Sequence, residues 1–139
     1  MVCKDIIIKR LERLEESIRR LKSKKNISLD EFKSSWELQD IILKEFEIGI
    51  ECIIDIGSYI IAEKGWKSPE KSSDIPDILK EKGIITSEYK EILKKMIAFR
   101  NIIVHEYLYI DLEKLYENLN RVEDLKEFAV FIEKYISKE

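Results

Sequence analysis

Apolar residues recur along the chain at helical spacing. Over about residues 3–24, large aliphatic residues lie alternately four and three positions apart, which places them on one stripe of a helix: Ile7, Leu11, Leu14, Ile18 and Leu21. No segment alternates polar and apolar residues with the period of two that a half-buried strand requires. The pattern therefore predicts an all-α protein.

A second, longer helix is predicted from Ser28 to near Gly65. Ser28 and Glu31 have the spacing of a capping box, in which each side chain satisfies a backbone N–H at the helix start. Apolar residues then recur at helical spacing through the whole segment, and Trp36 is expected to lie in the core. The later half is apolar on more than one side, so we expect it to contact two neighbouring helices.

Three further helices follow a polar loop at 66–74: a short one over about 75–82, one from Thr86 towards Arg100, and one from Asp111 to about Ile136. No internal repeat or linker divides the chain, so residues 1–139 are expected to form a single domain. The predicted fold is an antiparallel up-and-down bundle of four to five helices.

The charge balance limits how this protein can bind nucleic acid. The formal net charge is −3, so any RNA contact must use a local basic patch. One basic cluster lies at the end of the first helix: Arg19, Arg20, Lys22, Lys24 and Lys25. It is either such a patch or the usual excess of positive charge at a helix C-terminus.

The cysteines and the N-terminus indicate a cytoplasmic protein. Cys3 and Cys52 are expected to be reduced thiols. With one histidine in the chain, no zinc-ligand spacing is present, and no metal or other cofactor is expected. The first ten residues lack a signal peptide, and no stretch approaches the ~20 apolar residues that span a bilayer.

An acidic stripe lies on the second predicted helix at i, i+4 and i+8, formed by Glu47, Glu51 and Asp55. Two carboxylates can hold a metal ion. A solvated face, or salt bridges across a dimer, is the interpretation we favour for this stripe.

The segment from Phe99 to Asp111 carries the candidate chemistry. It contains the lone histidine, His105, and Arg100 in a chain that otherwise prefers lysine. An arginine supplies a planar fork of five donors that suits phosphate. On spacing alone, however, a histidine near a helix end is more often a cap, and an arginine is usually a solvated charge.

Helix geometry separates these two side chains. On a straight helix Arg100 and His105 are about 140° apart and ~7.5 Å apart along the axis. Three arrangements would bring them together. The helix unwinds near His105, the Arg100 side chain wraps round the helix, or the site is completed across a dimer in which each subunit donates an arginine and a histidine.

The string Arg100-Asn101-x-x-x-His105-x-Tyr107 resembles the R-N-x-x-x-H-x-Y signature of HepT proteins, a branch of the HEPN superfamily. The broader HEPN pattern is an arginine, a polar residue directly after it, and a histidine a few residues on. Ile110-Asp111 also matches the family's usual hydrophobic-Asp ending. The motif covers about a dozen residues, and the similarity in helix order, length and motif position covers nearly the whole chain.

The resemblance implies an activity and a set of partners. Members of this family are helical bundles, usually dimeric, that act as metal-independent ribonuclease toxins of type VII toxin–antitoxin systems. Their partner is an MNT-type nucleotidyltransferase antitoxin, which silences the toxin by attaching AMP to the motif tyrosine. That residue corresponds to Tyr107. Without the resemblance, Tyr107 would be interpreted as a packing aromatic like Tyr109.

The residue types suit this chemistry. Histidine acts as an acid or a base near neutral pH, so His105 is the hypothetical general acid/base that leaves 2′,3′-cyclic phosphate ends on RNA. Arg100 is the hypothetical clamp on the attacked phosphate, and Asn101 orients His105 or bonds the phosphate.

Two alternatives remain open. In the first, the chain is a non-catalytic helical subunit that docks a nucleotidyltransferase. In the second, it is a plain structural dimer. Non-catalytic HEPN relatives tend to lose the motif arginine or histidine, and this chain keeps both Arg100 and His105.

Overall fold

The computed structural model describes residues 3–139, apart from the side chain of Tyr107. These residues form helices and no strand. The α-helices in this part of the chain are α1 (Lys4–Lys22), α2 (Leu29–Lys33), α3 (Trp36–Glu63), α4 (Ile75–Glu81), α5 (Ser87–His105), α6 (Leu112–Glu117) and α7 (Val122–Ser137). Short 3₁₀ turns occupy Ser72–Asp74, Tyr107–Tyr109 and Asn118–Arg121.

Four long helices build the bundle, and α1 lies between α3 and α7. The aliphatic stripe of α1 is buried, as its spacing predicts. Arg10 faces Asp55 at one end of α3, whereas Ser17 bonds Glu45 nearer its other end, so α1 and α3 are antiparallel. This arrangement confirms the predicted all-helical bundle.

The short helix α4 packs directly on α3. A Cβ added to Gly57 of α3 would lie 2.6 Å from Cγ2 of Ile75, so glycine permits this close approach. Pro76 lies in the first turn of α4, and Gly83 follows its end with a φ of +75°, which are positions that suit these two residue types. Thr86 then caps α5 by accepting a hydrogen bond from the Tyr89 N–H.

The prediction of one continuous helix from Ser28 to Gly65 is wrong. Ser28 does cap a helix by accepting from the Glu31 N–H, but that helix ends at Lys33, and Ser35 caps a new one. Because of this break, the side chain of Trp36, the first residue of α3, does not continue the buried stripe of α2. Trp36 was expected in the core from its i+4 spacing to Phe32, but its side chain is 69% exposed, whereas Phe32 is buried.

The predicted last helix is also interrupted. Asp111 caps α6 by accepting from the N–H groups of Glu113 and Lys114, as expected, but a 3₁₀ turn separates α6 from α7. The Asn118 side chain donates to the Lys114 carbonyl at 2.8 Å, and such local bonds compete with regular helix hydrogen bonding.

Among the described residues, no helix is long and apolar enough to cross a bilayer. Cys3 is exposed and Cys52 is buried, and both are free. Burial raises the pKa of the Cys52 thiol, which keeps it in the unreactive protonated form.

Candidate active site at the end of helix α5

The candidate residues lie on the last turns of α5, which runs as a regular helix to His105. The Glu106 N–H donates to the Ile102 carbonyl at 2.8 Å, so the α-helical hydrogen bonding is intact at this end. The first arrangement considered for the site, in which the helix unwinds near His105, is therefore wrong.

Arg100 is turned towards α3 by an ion pair. Its Nη2 lies 2.5 Å from Oε2 of Glu51, and its Nη1 donates to Oδ1 of Asn101 at 3.1 Å. Its Nε is buried and has no acceptor among the described residues. Glu51 and Asn101 fix the guanidinium in place. It still has N–H donors that no described group uses, and 22% of the side chain is exposed.

A second ion pair lies next to the first. Asp55 is one turn along α3 from Glu51, and the Arg10 Nε of α1 approaches its carboxylate at 4.0 Å. Burial, and then the charge of Glu51, raise the pKa of Asp55, while Arg10 and Arg100 oppose this shift. The site therefore draws its side chains from three helices.

The three carboxylates of the acidic stripe all form ion pairs within the chain. Glu51 pairs with Arg100, Asp55 faces Arg10, and Glu47 lies 3.6 Å from Nζ of Lys44. In the described part of the chain, no three His, Cys, Asp or Glu side chains are placed to hold a metal together. Glu51 and Asp55 are 42% and 47% exposed, so the stripe is a partly solvated face whose carboxylates also form ion pairs within one protomer. The predicted salt bridge across a dimer stays a prediction.

His105 is exposed at the end of α5, and none of the described side chains forms a hydrogen bond with it. On a regular helix the Arg100 and His105 side chains leave the axis about 140° apart, and Glu51 holds Arg100 against α3. The contacts of Arg100 among the described residues are with Glu51 and Asn101, so the second arrangement, in which it wraps round to His105, is not seen.

Exposed apolar residues flank His105 in the sequence and define what we call the α5-end patch. Ile102 and Val104 are 43% and 42% exposed, and Leu108 and Tyr109 are 83% and 85% exposed. A concentration of apolar surface of this kind is typical of an interaction site.

Tyr107 lies at the start of the 3₁₀ turn Tyr107–Tyr109, directly after α5. Its side chain falls outside the described residues, so its prediction as the modified tyrosine stays a prediction.

The basic cluster at the end of α1 is largely neutralised. Arg19 and Arg20 both pair with Glu16, Arg20 also bonds Glu45, and Lys22 pairs with Glu123. These contacts favour the helix-terminus interpretation for these three residues over an RNA patch.

The roles of Glu51 and Arg10 at this site were not predicted. Glu51 was predicted to lie in an acidic stripe, with no link to the motif arginine. One signal for such a partner was available, since Arg100 stands directly before Asn101 in a lysine-rich chain. An arginine that is used for its planar fork needs acceptors that hold the fork in one orientation.

An all-helical bundle with an arginine, a following asparagine and an exposed histidine at one helix end has the features of the HEPN class. The model of the family described as Ribonuclease HepT-like matches residues 14–134, so the chain belongs to the Ribonuclease HepT-like family. The resemblance inferred from the motif, and the ribonuclease class it implied, are confirmed.

Curated relatives agree with this assignment. The mRNA nuclease HepT of Shewanella oneidensis is 29% identical over 125 residues, which cover 89% of this chain and 93% of the relative. The tRNA nuclease HepT of Aphanizomenon flos-aquae is 34% identical over 107 residues, which cover 76% of this chain and 72% of the relative.

The fold is shared with a solved toxin. The tri-AMPylated Shewanella oneidensis HEPN toxin, in complex with an MNT antitoxin, superposes with a TM-score of 0.85 at 28% identity. The match covers 94% of this chain and 98% of that one.

Proposed function

We propose that the protein is an RNA-cleaving toxin that uses Arg100 and His105 without a metal ion. His105 removes the proton from a 2′-OH, and the freed oxygen attacks the neighbouring phosphorus. The bond from phosphorus to the 5′-oxygen breaks, and a proton carried by imidazole goes to that leaving oxygen. The products are a 2′,3′-cyclic phosphate and a 5′-OH end.

Arg100 stabilises the charge that the phosphate gains in this step. The observation that carries the proposal is its environment. Glu51 and Asn101 fix the guanidinium, and the exposed part of the side chain keeps N–H donors that no described group uses. A phosphate oxygen is the acceptor that these donors suit. Asn101 is a positioning residue for Arg100.

The site is complete only in a homodimer, in which Arg100 of one protomer meets His105 of its partner. Two observations support this part of the proposal. The regular α5 directs the two side chains about 140° apart within one protomer, and the exposed Leu108 and Tyr109 follow His105 closely along the chain. A two-fold interface over this patch would bring the two α5 ends together.

The proposed partner is an MNT-type nucleotidyltransferase that inactivates the toxin. The phenol oxygen of Tyr107 attacks the α-phosphorus of ATP, loses its proton, and releases pyrophosphate. An AMP group two residues after His105 would occupy the RNA cleft with negative charge and bulk. The relative of known structure is AMPylated and bound to its antitoxin, which supports this reading.

We also propose a cytoplasmic location, which agrees with an exposed Cys3 that is free.

Substitution of His105 tests the catalytic proposal. We expect His105→Ala to lower the initial rate of RNA cleavage by at least about 100-fold, because proton transfer is lost. Glu106→Ala is the matched control, since it changes an exposed neighbour. Equal cleavage by His105→Ala and the wild type would overturn the proposal and favour the non-catalytic subunit that docks a nucleotidyltransferase.

Mass spectrometry after co-expression with the antitoxin tests the modification. We expect added AMP on the peptide that contains Tyr107, and its loss in Tyr107→Phe. Tyr109→Phe is the control, because Tyr109 is an exposed phenol in the same turn. AMP that persists in Tyr107→Phe and disappears in Tyr109→Phe would contradict the assignment.

A further inference from the structure

A cavity of about 530 Å³ opens between α3, α5, α6 and α7, on a side of the molecule that the proposed reaction does not use. This volume is within the range of small-molecule sites. Its floor is apolar and is formed by Phe46, Ile50, Ile92, Met96, Phe99 and Leu125. Phe46 and Phe99 meet edge to face, with ring centroids 5.8 Å apart. The floor therefore offers aromatic and thioether surface to a flat ligand.

The rim of this cavity is positive although the chain is acidic. Lys95, Lys114 and Arg121 oppose Glu117 and Asp124 around the opening. Arg121 Nη1 lies 3.8 Å from Asp124, whereas Lys95 and Lys114 form no ion pair with a described carboxylate. These two lysines stand on different helices, so two unpaired cations face one opening.

An asparagine adds a directional group to the rim. The Asn118 side-chain N–H donates to the Lys114 carbonyl at 2.8 Å, which fixes the amide. Its oxygen is left as an acceptor for an N–H of a ligand.

The cavity lies on a different face of α5 from His105. On a regular helix, His105 is about 120° from Phe99, which lines the cavity. A ligand in the cavity would therefore lie on a different face of α5 from His105.

We propose that this cavity binds a nucleotide unit, with the base on the Phe46–Met96–Phe99 floor and the phosphate between Lys95 and Lys114. The combination of an apolar floor, two unpaired cations and one fixed amide matches a flat heteroaromatic ring that carries a phosphate. The source is a free mononucleotide or an unpaired nucleotide of an RNA strand, and both share this chemistry. The proposal does not depend on ribonuclease activity, because it is tested by binding.

The methionine content provides a direct probe. The chain has two methionines, and Met96 lines the cavity while the other is Met1. A spectrum of the full-length protein labelled with ¹³C at the methionine methyls therefore has one reporter in the cavity, assigned with Met96→Leu. The titrants are AMP, GMP, CMP and UMP, with adenosine and ribose 5-phosphate as the separate halves of the ligand. A 2′-O-methyl oligoribonucleotide, which lacks the attacking hydroxyl, represents the strand.

We expect a saturable shift of the Met96 methyl resonance with a mononucleotide or with the oligonucleotide, and whichever of them binds more tightly identifies the source. Adenosine and ribose 5-phosphate should bind at least about tenfold more weakly. Lys95→Gln/Lys114→Gln should weaken binding about tenfold, and added salt should weaken wild-type binding.

Lys94→Gln/Lys134→Gln is the matched control, because it removes the same charge from residues outside the cavity. We expect it to keep wild-type affinity. Three results would overturn the proposal: a Met96 resonance that does not move with any nucleotide or with the oligonucleotide, equal binding of ribose 5-phosphate and AMP, or equal weakening by the two double variants.

Discussion

Helix α3 carries two arginine–glutamate clusters that use the same residue types in different ways. In the first, Glu45 is buried between α1 and α3. In the second, Glu51 is 42% exposed and holds Arg100 beside the α5 end. We call these the closed cluster and the open cluster.

The closed cluster satisfies its carboxylate. Glu45 accepts hydrogen bonds from Arg13 at 3.3 Å, from Ser17 at 2.9 Å and from Arg20 at 2.9 Å. Burial alone would raise the pKa of this carboxyl, but the hydrogen bonds from Arg20 and Ser17 and the charge of Arg13 hold it below its usual range. Such a cluster fixes the contact between two helices and has little capacity left for a ligand.

The open cluster leaves its arginine partly unused. Arg100 has five donors, and the described residues supply two acceptors, Glu51 and Asn101. A buried N–H without an acceptor is uncommon and calls for an explanation. In this protein, the fully paired carboxylate belongs to a structural ion cluster, whereas the incompletely paired and partly exposed Arg100 is a candidate binding group.

The largest effect is expected from Arg100→Lys. Lysine keeps the charge but loses the planar fork, so cleavage should fall about 100-fold. The free energy of unfolding should change by less than about 1 kcal/mol, because the ion pair is partly solvated. Initial cleavage rates and urea unfolding measure the two effects. Arg20→Lys in the closed cluster is the control and should keep the wild-type cleavage rate. Equal losses of cleavage rate in the two variants would show that the open and closed clusters do not differ in function.

The next effect is on stability and comes from Glu45→Gln. Removing the charge leaves Arg13 and Arg20 without their shared partner at a buried contact. Because both arginines are partly exposed, we expect a loss of about 2 kcal/mol, below the range for a fully buried pair. Cleavage per folded molecule should be unchanged. An unfolding free energy within error of the wild type would show that the closed cluster does not hold the helices.

A smaller effect on rate is expected from Glu51→Gln. The amide holds the guanidinium less firmly, so kcat should fall about tenfold with little change in KM. Glu51→Asp should restore part of the rate. Glu47→Gln, on the same stripe but paired with Lys44, is the matched control. A change in KM alone, or an equal change in the control, would argue against a positioning role for Glu51.

The smallest effect is the pH dependence of the closed cluster. The pKa of Glu45 is lower in the folded chain than its ordinary value of 4.5. The stabilisation of the folded chain by ionised Glu45 is therefore complete above pH 4.5, and it is lost as the pH falls through the folded pKa of Glu45. The stability difference between wild type and Glu45→Gln should narrow as the pH falls from neutral through the folded pKa of Glu45. A difference that stays constant over this range would contradict the pairing.

Much of the fold follows from the sequence, because local signals decide it. The stripe of α1, the caps at Thr86 and Asp111, and the turn at Gly83 all form where their residue types predict. The breaks were missed because periodicity continues across them. Phe32 and Trp36 keep helical spacing although a new helix begins at Ser35.

The site was predictable only in part. The motif identified Arg100, Asn101 and His105 because they are close in sequence. The pairing of Arg100 with Glu51 brings together residues from two helices, and spacing along the chain carries no information on such a contact. The same limit applies to the arrangement across a dimer.

Complementation between two inactive chains tests the central claim, that Arg100 and His105 act together from different protomers. Arg100→Ala and His105→Ala are co-expressed with different tags, and mixed dimers are isolated and assayed on RNA. We predict that the mixed dimer recovers about half of the wild-type rate, because one arginine and one histidine meet at a single restored site. A mixed dimer as inactive as its two parents would contradict the claim.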